Sequence, residues 1–237
     1  MVRPSAKSIF NALMIVGVLC ALVSCDNSIF EREISEGIIE YKVSFPYYDQ
    51  ESIMASMLPE NAKLEFKGDH FVSEISSGIA FKTTLIGNNK EHYIDQQLQL
   101  LSKKLFTRLK ERDIMVINGD LPELTLIHTD ETDTIAGFIC KKAIAIFDDI
   151  SKPEIELYYT DRIGLTDPNW HTPFSSIEGV LLKYEVEQYN MRMRLEATSV
   201  ERTKIPQDKF KVREGFEEVS PERMQFELQQ ILESFEI

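Results

Sequence analysis

Cysteine, tryptophan and positive charge are all scarce in this chain of 237 residues. It has three cysteines, one tryptophan, and 26 lysines and arginines against 39 acidic residues, for a net charge of −13. Cys20 and Cys25 fall close together near the start, leaving Cys140 as the one remaining thiol, so no disulfide staples the body of the chain. Cys140 sits in the apolar stretch Phe138-Ile139-Cys140 with no activating neighbour, which predicts a buried small hydrophobe. The negative balance argues against recognition of nucleic acid or an anionic membrane through a basic face, and is read first as solubility. Gly-rich phosphate loops, nucleophile elbows and paired-cysteine zinc spacings are missing, and no serine triad can be assembled from linear spacing. The expectation is a non-enzyme without cofactor or metal.

The apolar run Ile9 to Val23 is too short for a convincing membrane span. It follows Arg3 and Lys7 and ends at Leu22-Val23-Ser24-Cys25, the order of charge, greasy core and small residue that marks a secretory signal. The cysteine after Leu-Val-Ser resembles the lipobox of bacterial lipoproteins. That resemblance implies cleavage of residues 1–24, lipidation of the Cys25 thiol, and a membrane anchor in the bacterial envelope, with the outer membrane the expected site. An ordinary signal with a coincidental cysteine, or an uncleaved anchor, is the competing reading. Removing residues 1–24 takes the net charge two further, to −15. Residues 25–35 then form a tether, and 36–237 a single domain.

Period-two alternation dominates that domain. Ile39, Tyr41, Val43 and Phe45 alternate with Glu40, Lys42 and Ser44; Ala62, Leu64 and Phe66 alternate with Lys63, Glu65 and Lys67. Gly68-Asp69 turns the chain into a strand with Phe71, Ser73 and Ile75, and Ile79, Phe81, Thr83 and Leu85 make another. Further strands are expected over 90–97, 99–107, 124–129, 141–147 and 155–161. Val180, Leu182, Tyr184 and Val186, then Met191, Met193, Leu195 and Ala197, read as a long hairpin with charged residues on its wet face. Two helices are expected. One runs from Asp49 through Ile53, Met54, Met57 and Leu58 to Pro59; the other starts at Ser220-Pro221-Glu222 and carries Met224, Leu228, Ile231, Leu232 and Phe235. The pattern is α+β: one antiparallel sheet whose apolar face must be covered by curling or by helices.

Two stretches, Ala136-Gly137-Phe138-Ile139-Cys140-Lys141-Lys142-Ala143 with Ile155-Glu156-Leu157-Tyr158-Tyr159-Thr160-Asp161, and Pro173-Phe174-Ser175-Ser176-Ile177-Glu178-Gly179-Val180-Leu181-Leu182, resemble bacterial envelope proteins of the GLPGLI and DUF4412 type. The name-giving motif is degenerate: Ile177 stands for its leucine and Glu178 for its proline. The resemblance implies a curved, unclosed barrel like that of the lipoprotein carriers LolA and LolB, lidded by helices over a cavity for acyl chains. On that implication the function is non-enzymatic binding of an apolar ligand or lipidated partner. The lining would be Tyr41, Val43, Leu64, Phe66, Phe71, Phe81, Leu182, Tyr184, Met191 and Met193, with Met54 and Met57 as the lid. The alternative is a packed structural or interaction protein of the envelope with no ligand. Gly179, Val180 and Leu181 keep the rest of the motif in character, and Gly179 also has a physical reason of its own: it opens a strand where the backbone needs close approach or an unusual φ.

His70, His92, His128 and His171 are spread over separate strands. His92 with Asp95, His128 with Asp130, and Asp69 with His70 come nearest to ligand spacing, and solvated strand histidines are the expectation. Trp170, in the loop Thr166 to His171, is read either as a rim contact or as an anchor folded onto the sheet.

Overall fold

The computed structural model describes residues 33–48, 51, 55, 58–78, 81–119, 122–188 and 191–233. The expected signal, Cys25, most of the tether, and Asp49, Ile53, Met54 and Met57 of the first expected helix lie outside them. Twelve strands form one sheet: β1 (Glu36–Ser44), β2 (Asn61–Lys67), β3 (His70–Ser77), β4 (Phe81–Asn88), β5 (Tyr93–Leu100), β6 (Lys103–Lys110), β7 (Leu124–Ile135), β8 (Phe138–Phe147), β9 (Ile155–Thr160), β10 (Val180–Gln188), β11 (Met191–Glu201) and β12 (Glu217–Glu218). Among the described residues two α-helices accompany them, α1 (Glu111–Gly119) and α2 (Pro221–Glu233). The strand order is β12-β6-β5-β4-β3-β2-β1-β11-β10-β9-β8-β7. Two meanders, β1–β6 and β7–β11, are therefore welded by the antiparallel pairing of β1 with β11. Every pairing is antiparallel except that of β12 with β6, and the sheet is not closed. This is the α+β, unclosed antiparallel architecture expected.

The sheet curls. β7 lies four places from β11, about 19 Å in a flat sheet at ~4.8 Å per strand, yet the two strands come into contact. The alternating residues Ile39, Tyr41, Val43, Phe66, Phe71, Leu98, Leu182 and Leu195 fill the concave face. They are covered by Ile114 of α1, by Met224, Leu228 and Ile231 of α2, by Ile163 and Leu165, and by Ile135, Phe138 and Cys140 at the tip of the β7–β8 hairpin. That tip turns through Ala136 and Gly137, both at positive φ, the backbone a two-residue hairpin turn demands.

The convex face is not uniformly wet, which corrects the expectation of one apolar and one solvated side. Behind β8, β9 and β10, a second cluster of Ala143, Ala145, Ile155, Leu157 and Leu181 is sealed by Phe174 and Ile177 from the β9–β10 connection. Behind β2 to β6, the segment following β11 runs as a strap. The Glu36 carboxylate accepts the Ile205 N–H at 2.6 Å, Lys209 reaches Glu65 and Arg213 reaches Glu74, each at 3.3 Å. β12 then pairs with the edge strand β6, and the chain rounds that edge to lay α2 on the concave face. Glu65, expected on a wet face, is buried beneath this strap.

Strand limits differ most in two hairpins: β7 and β8 run on to Ile135 and back from Phe138, beyond the expected 124–129 and 141–147, and the β5–β6 turn is displaced. The chain turns at Leu101-Ser102, after Leu100 pairs with Lys103, rather than near residue 98. Leu101 takes a left-handed backbone, φ 52°, which no turn-forming side chain announces.

Candidate functional site

Nine of the ten expected lining residues are described with their side chains: Tyr41, Val43, Leu64, Phe66, Phe71, Phe81, Leu182, Tyr184 and Met193 all belong to the concave-face cluster. Alternation thus placed them together on one face. They pack against one another and against the helices. Phe66 and Leu182 have no exposed surface. Tyr41 donates its hydroxyl to the Leu181 carbonyl at 2.9 Å and meets the Tyr184 ring edge-on at 6.1 Å. Burial pushes the Tyr184 phenol up to about 12. Met191 is on β11, but its side chain lies outside the description; the lid residues Met54 and Met57, and Cys25, lie outside it entirely. None of the nine described lining residues lines either of the two concavities that stand out among the described residues.

One of those is an open groove of about 540 Å³ between α1 and the β9–β10 connection. Ile114, Met115, Trp170 and Pro173 supply its apolar wall, and Glu111 and Asp167 its acidic rim. α1 forms because Asp113, three residues into the helix from Lys110, accepts the Lys110 N–H at 2.9 Å, the reciprocal half of a capping box. Glu111 and Asp113 add acid to its first turn, where the helix dipole favours it. Ile114 is thereby turned into the core while Met115 and Val116 stay two-thirds exposed. On the opposite wall, Asn169 clips the connection together by donating to the carbonyls of Ile177 and Gly179 at 2.7 and 2.8 Å. Asn118 of α1 donates to the His171 carbonyl at 3.3 Å and ties the two walls.

Trp170 takes the anchoring role. Its indole donates to Asn89 Oδ1 at 2.9 Å and stacks on His92, ring centroids 4.6 Å apart, which anchors the loop; its remaining surface faces the groove. His92 Nε2 lies 3.1 Å from Asp167 and Nδ1 3.8 Å from Glu111. His92 and Asp167 both have positive φ, 49° and 42°, a costly conformation for side-chain-bearing residues.

The sequence neighbours proposed for the histidines are not their spatial partners. Asp95 is taken by Arg108 through two bonds of 2.7 and 2.8 Å, on the face opposite the one that Ile94 buries. His128 meets the Tyr159 hydroxyl at 3.1 Å, and His70 packs on Phe210. His171 stacks on Phe71 and is partly buried, not solvated as expected. Among the described residues no three His, Cys, Asp or Glu side chains gather as a metal would require. Cys140 is fully buried, and desolvation pushes its thiol up to about 11.

Gly179 shows close approach rather than unusual backbone. A Cβ there would lie 2.7 Å from the Thr160 carbonyl oxygen and 2.8 Å from the Tyr159 ring.

Among the described residues no helix is long and apolar enough to cross a membrane. No protein-family model and no curated protein matches the chain. Solved structures similar to it include MucB, at 8% identity and a TM-score of 0.32 over 78% of this chain and 60% of that one. Another is the MucA/MucB complex of Pseudomonas aeruginosa, at 9% and 0.31 over 79% and 59%. A third is a beta-barrel-like protein of domain of unknown function DUF1849 from Brucella abortus, at 8% and 0.32 over 73% and 100%. The chain thus spans about 60% of the length of the MucB chains it matches, and at these scores nothing about function passes from them to it.

Proposed function

We propose that this chain is a lipid-anchored bacterial envelope protein, non-enzymatic, that binds a partner at its surface while its curled sheet serves as a packed scaffold. The observation that carries the reading is the filling of the concave face. Tyr41, Phe66, Phe71 and Leu182 are at most 4% exposed, whereas the open groove lies outside that core. A carrier needs a vacant apolar volume of several hundred Å³, whereas the described side chains of this face pack against one another and against the helices. A non-enzymatic role draws support from the residue types that chemistry would use. The described thiol is buried and hard to ionise, and the histidines are spent on ring stacking and separate hydrogen bonds.

The carrier remains the second reading for one reason. The concave face is capped by separate elements, α1, α2 and the hairpin tip, which could part from the sheet, and adaptable methionines stand on both sides, Met193 on the sheet and Met224 on α2. Native mass spectrometry of the full chain separates the two. The packed scaffold releases from detergent carrying only its own covalent lipid and ignores added palmitate, whereas a bound acyl chain at unit stoichiometry establishes the carrier. The anchor is tested apart from both. Cys25→Ala abolishes metabolic incorporation of labelled palmitate, and persistent labelling refutes the anchor.

A further inference from the structure

The geometry points to the α1/β9–β10 groove as a docking site for a positively charged, apolar-bearing peptide segment of a partner protein. The inference deepens the surface-binding reading and rests on it. Its first support is shape: a concavity of about 540 Å³ takes a few side chains. The second is the wall. Met115 is 68% exposed, held outward by a helix whose next face is buried through Ile114, and Trp170 presents an aromatic surface opposite. Methionine beside tryptophan makes an adaptable apolar contact, the composition of interface centres. Asn118, Thr172 and Ser175 interrupt that wall with polar groups, which suits a peptide backbone better than a hydrocarbon chain.

The third support is charge. Glu111 and Asp167 stand at the rim with side chains 65% and 44% exposed, and the imidazole of His92 bridges them. No lysine or arginine lines the groove among the described residues. In a chain of net charge −13, these carboxylates favour a cationic occupant, and they disfavour a second copy of the same acidic surface.

Trp170 is the only tryptophan in the chain, so its emission reports the groove directly. The test titrates the full chain, reconstituted in neutral phosphatidylcholine vesicles, with a short leucine–lysine peptide, with its leucine–glutamate counterpart and with palmitate. The expected result is a saturable change in Trp170 emission with the lysine peptide alone. Met115→Lys should weaken it about tenfold or more, and Glu111→Gln about threefold. Both positions are exposed, so folding survives. Glu60→Gln, the same change of charge at an exposed residue just before β2, should leave binding intact. Equal response to the glutamate peptide, or insensitivity to Met115→Lys, overturns the proposal. Lysine peptide that binds by calorimetry without moving Trp170 overturns the groove but leaves the surface-binding reading standing. A response to palmitate alone overturns both.

Discussion

His171 lies face to face on Phe71, ring centroids 5.2 Å apart and planes 17° from parallel, with its Nδ1 sealed from solvent and without a hydrogen-bond partner among the described residues. Desolvation lowers its pKa from 6.5 to about 4. The unfolded chain therefore takes up this proton first as pH falls. The stabilisation is complete above pH 6.5, is lost as pH drops toward 4, and changes no further below. Its size is on the order of 3 kcal/mol, less in proportion to the part of the ring that meets water. The wild type should lose stability between pH 6.5 and 5, and His171→Gln should show a flatter profile there in urea titrations. Carboxylates with depressed pKa act lower. Glu36, hydrogen-bonded to Lys67, and Asp161, hydrogen-bonded to Lys141, lose their contribution only as pH falls below their ordinary values of 4.5 and 3.8. Identical slopes above pH 5 in both proteins would refute the assignment.

Gly179→Ala should destabilise the fold by about 1–3 kcal/mol, because the added methyl meets the Thr160 carbonyl and the Tyr159 ring at 2.7–2.8 Å and the β9–β10 pairing must shift. Gly137→Ala makes the contrast. Nothing lies within 4 Å of its Cβ, so its cost is confined to the backbone strain of φ 86°, about 1 kcal/mol. Urea midpoints at unchanged m-value measure both. Equal losses would show that crowding at Gly179 is relieved by local movement.

The strands were legible because one side of each is covered, and burial on one face writes a period of two into the sequence. α2 was legible at its start because Ser220, Pro221 and Glu222 meet the needs of the first turn, and Ser220 Oγ does accept the Arg223 N–H at 3.3 Å. α1 was not. Its apolar residues form one short unbroken run, Ile114-Met115-Val116-Ile117, rich in β-branched side chains and too brief to show a repeat, and only the acids Glu111 and Asp113 signal its start. The groove depended on that helix, so of its wall only Trp170 could be singled out. The strap over residues 202–219 has no periodicity, since it is held by single ion pairs to Glu65 and Glu74 rather than by a repeating face. Which strands become neighbours, β1 with β11 above all, is a long-range choice that alternation does not encode.

Glu185 and Arg192, expected on the wet face of the last hairpin, are 7% and 8% exposed, with Arg194 completing the cluster at 2.6 Å from Glu185. Arg192 also approaches the carbonyls of Pro153 and Glu154 at 3.4 Å and lies under the Tyr47 ring. Removing the carboxylate strands a buried guanidinium, so Glu185→Ala should cost about 3–5 kcal/mol. The paired change Glu185→Leu with Arg192→Met, which removes both charges, should recover most of that loss in thermal unfolding. If the pair is no more stable than Glu185→Ala alone, the cost lies in packing rather than in an unmatched charge.

The C-terminal helix is an integral wall of the core rather than an appendage, and Met224 shows it. This side chain has no exposed surface beneath the first turn of α2, while Phe226, two residues on, is 52% exposed. Truncating a fully buried methionine leaves a cavity, so Met224→Ala should cost about 2–5 kcal/mol, against a few tenths for Phe226→Ser. Glu227 adds a second attachment, its carboxylate 2.8 Å from Lys103 at the start of β6. Because α2 reaches the concave face only by way of the strap, loosening it should loosen both layers. Hydrogen exchange of Met224→Ala should accelerate across β5 and β6 as well as in the helix. Faster exchange confined to α2, with β6 as protected as in the wild type, would instead make the helix a separately opening lid and strengthen the carrier reading.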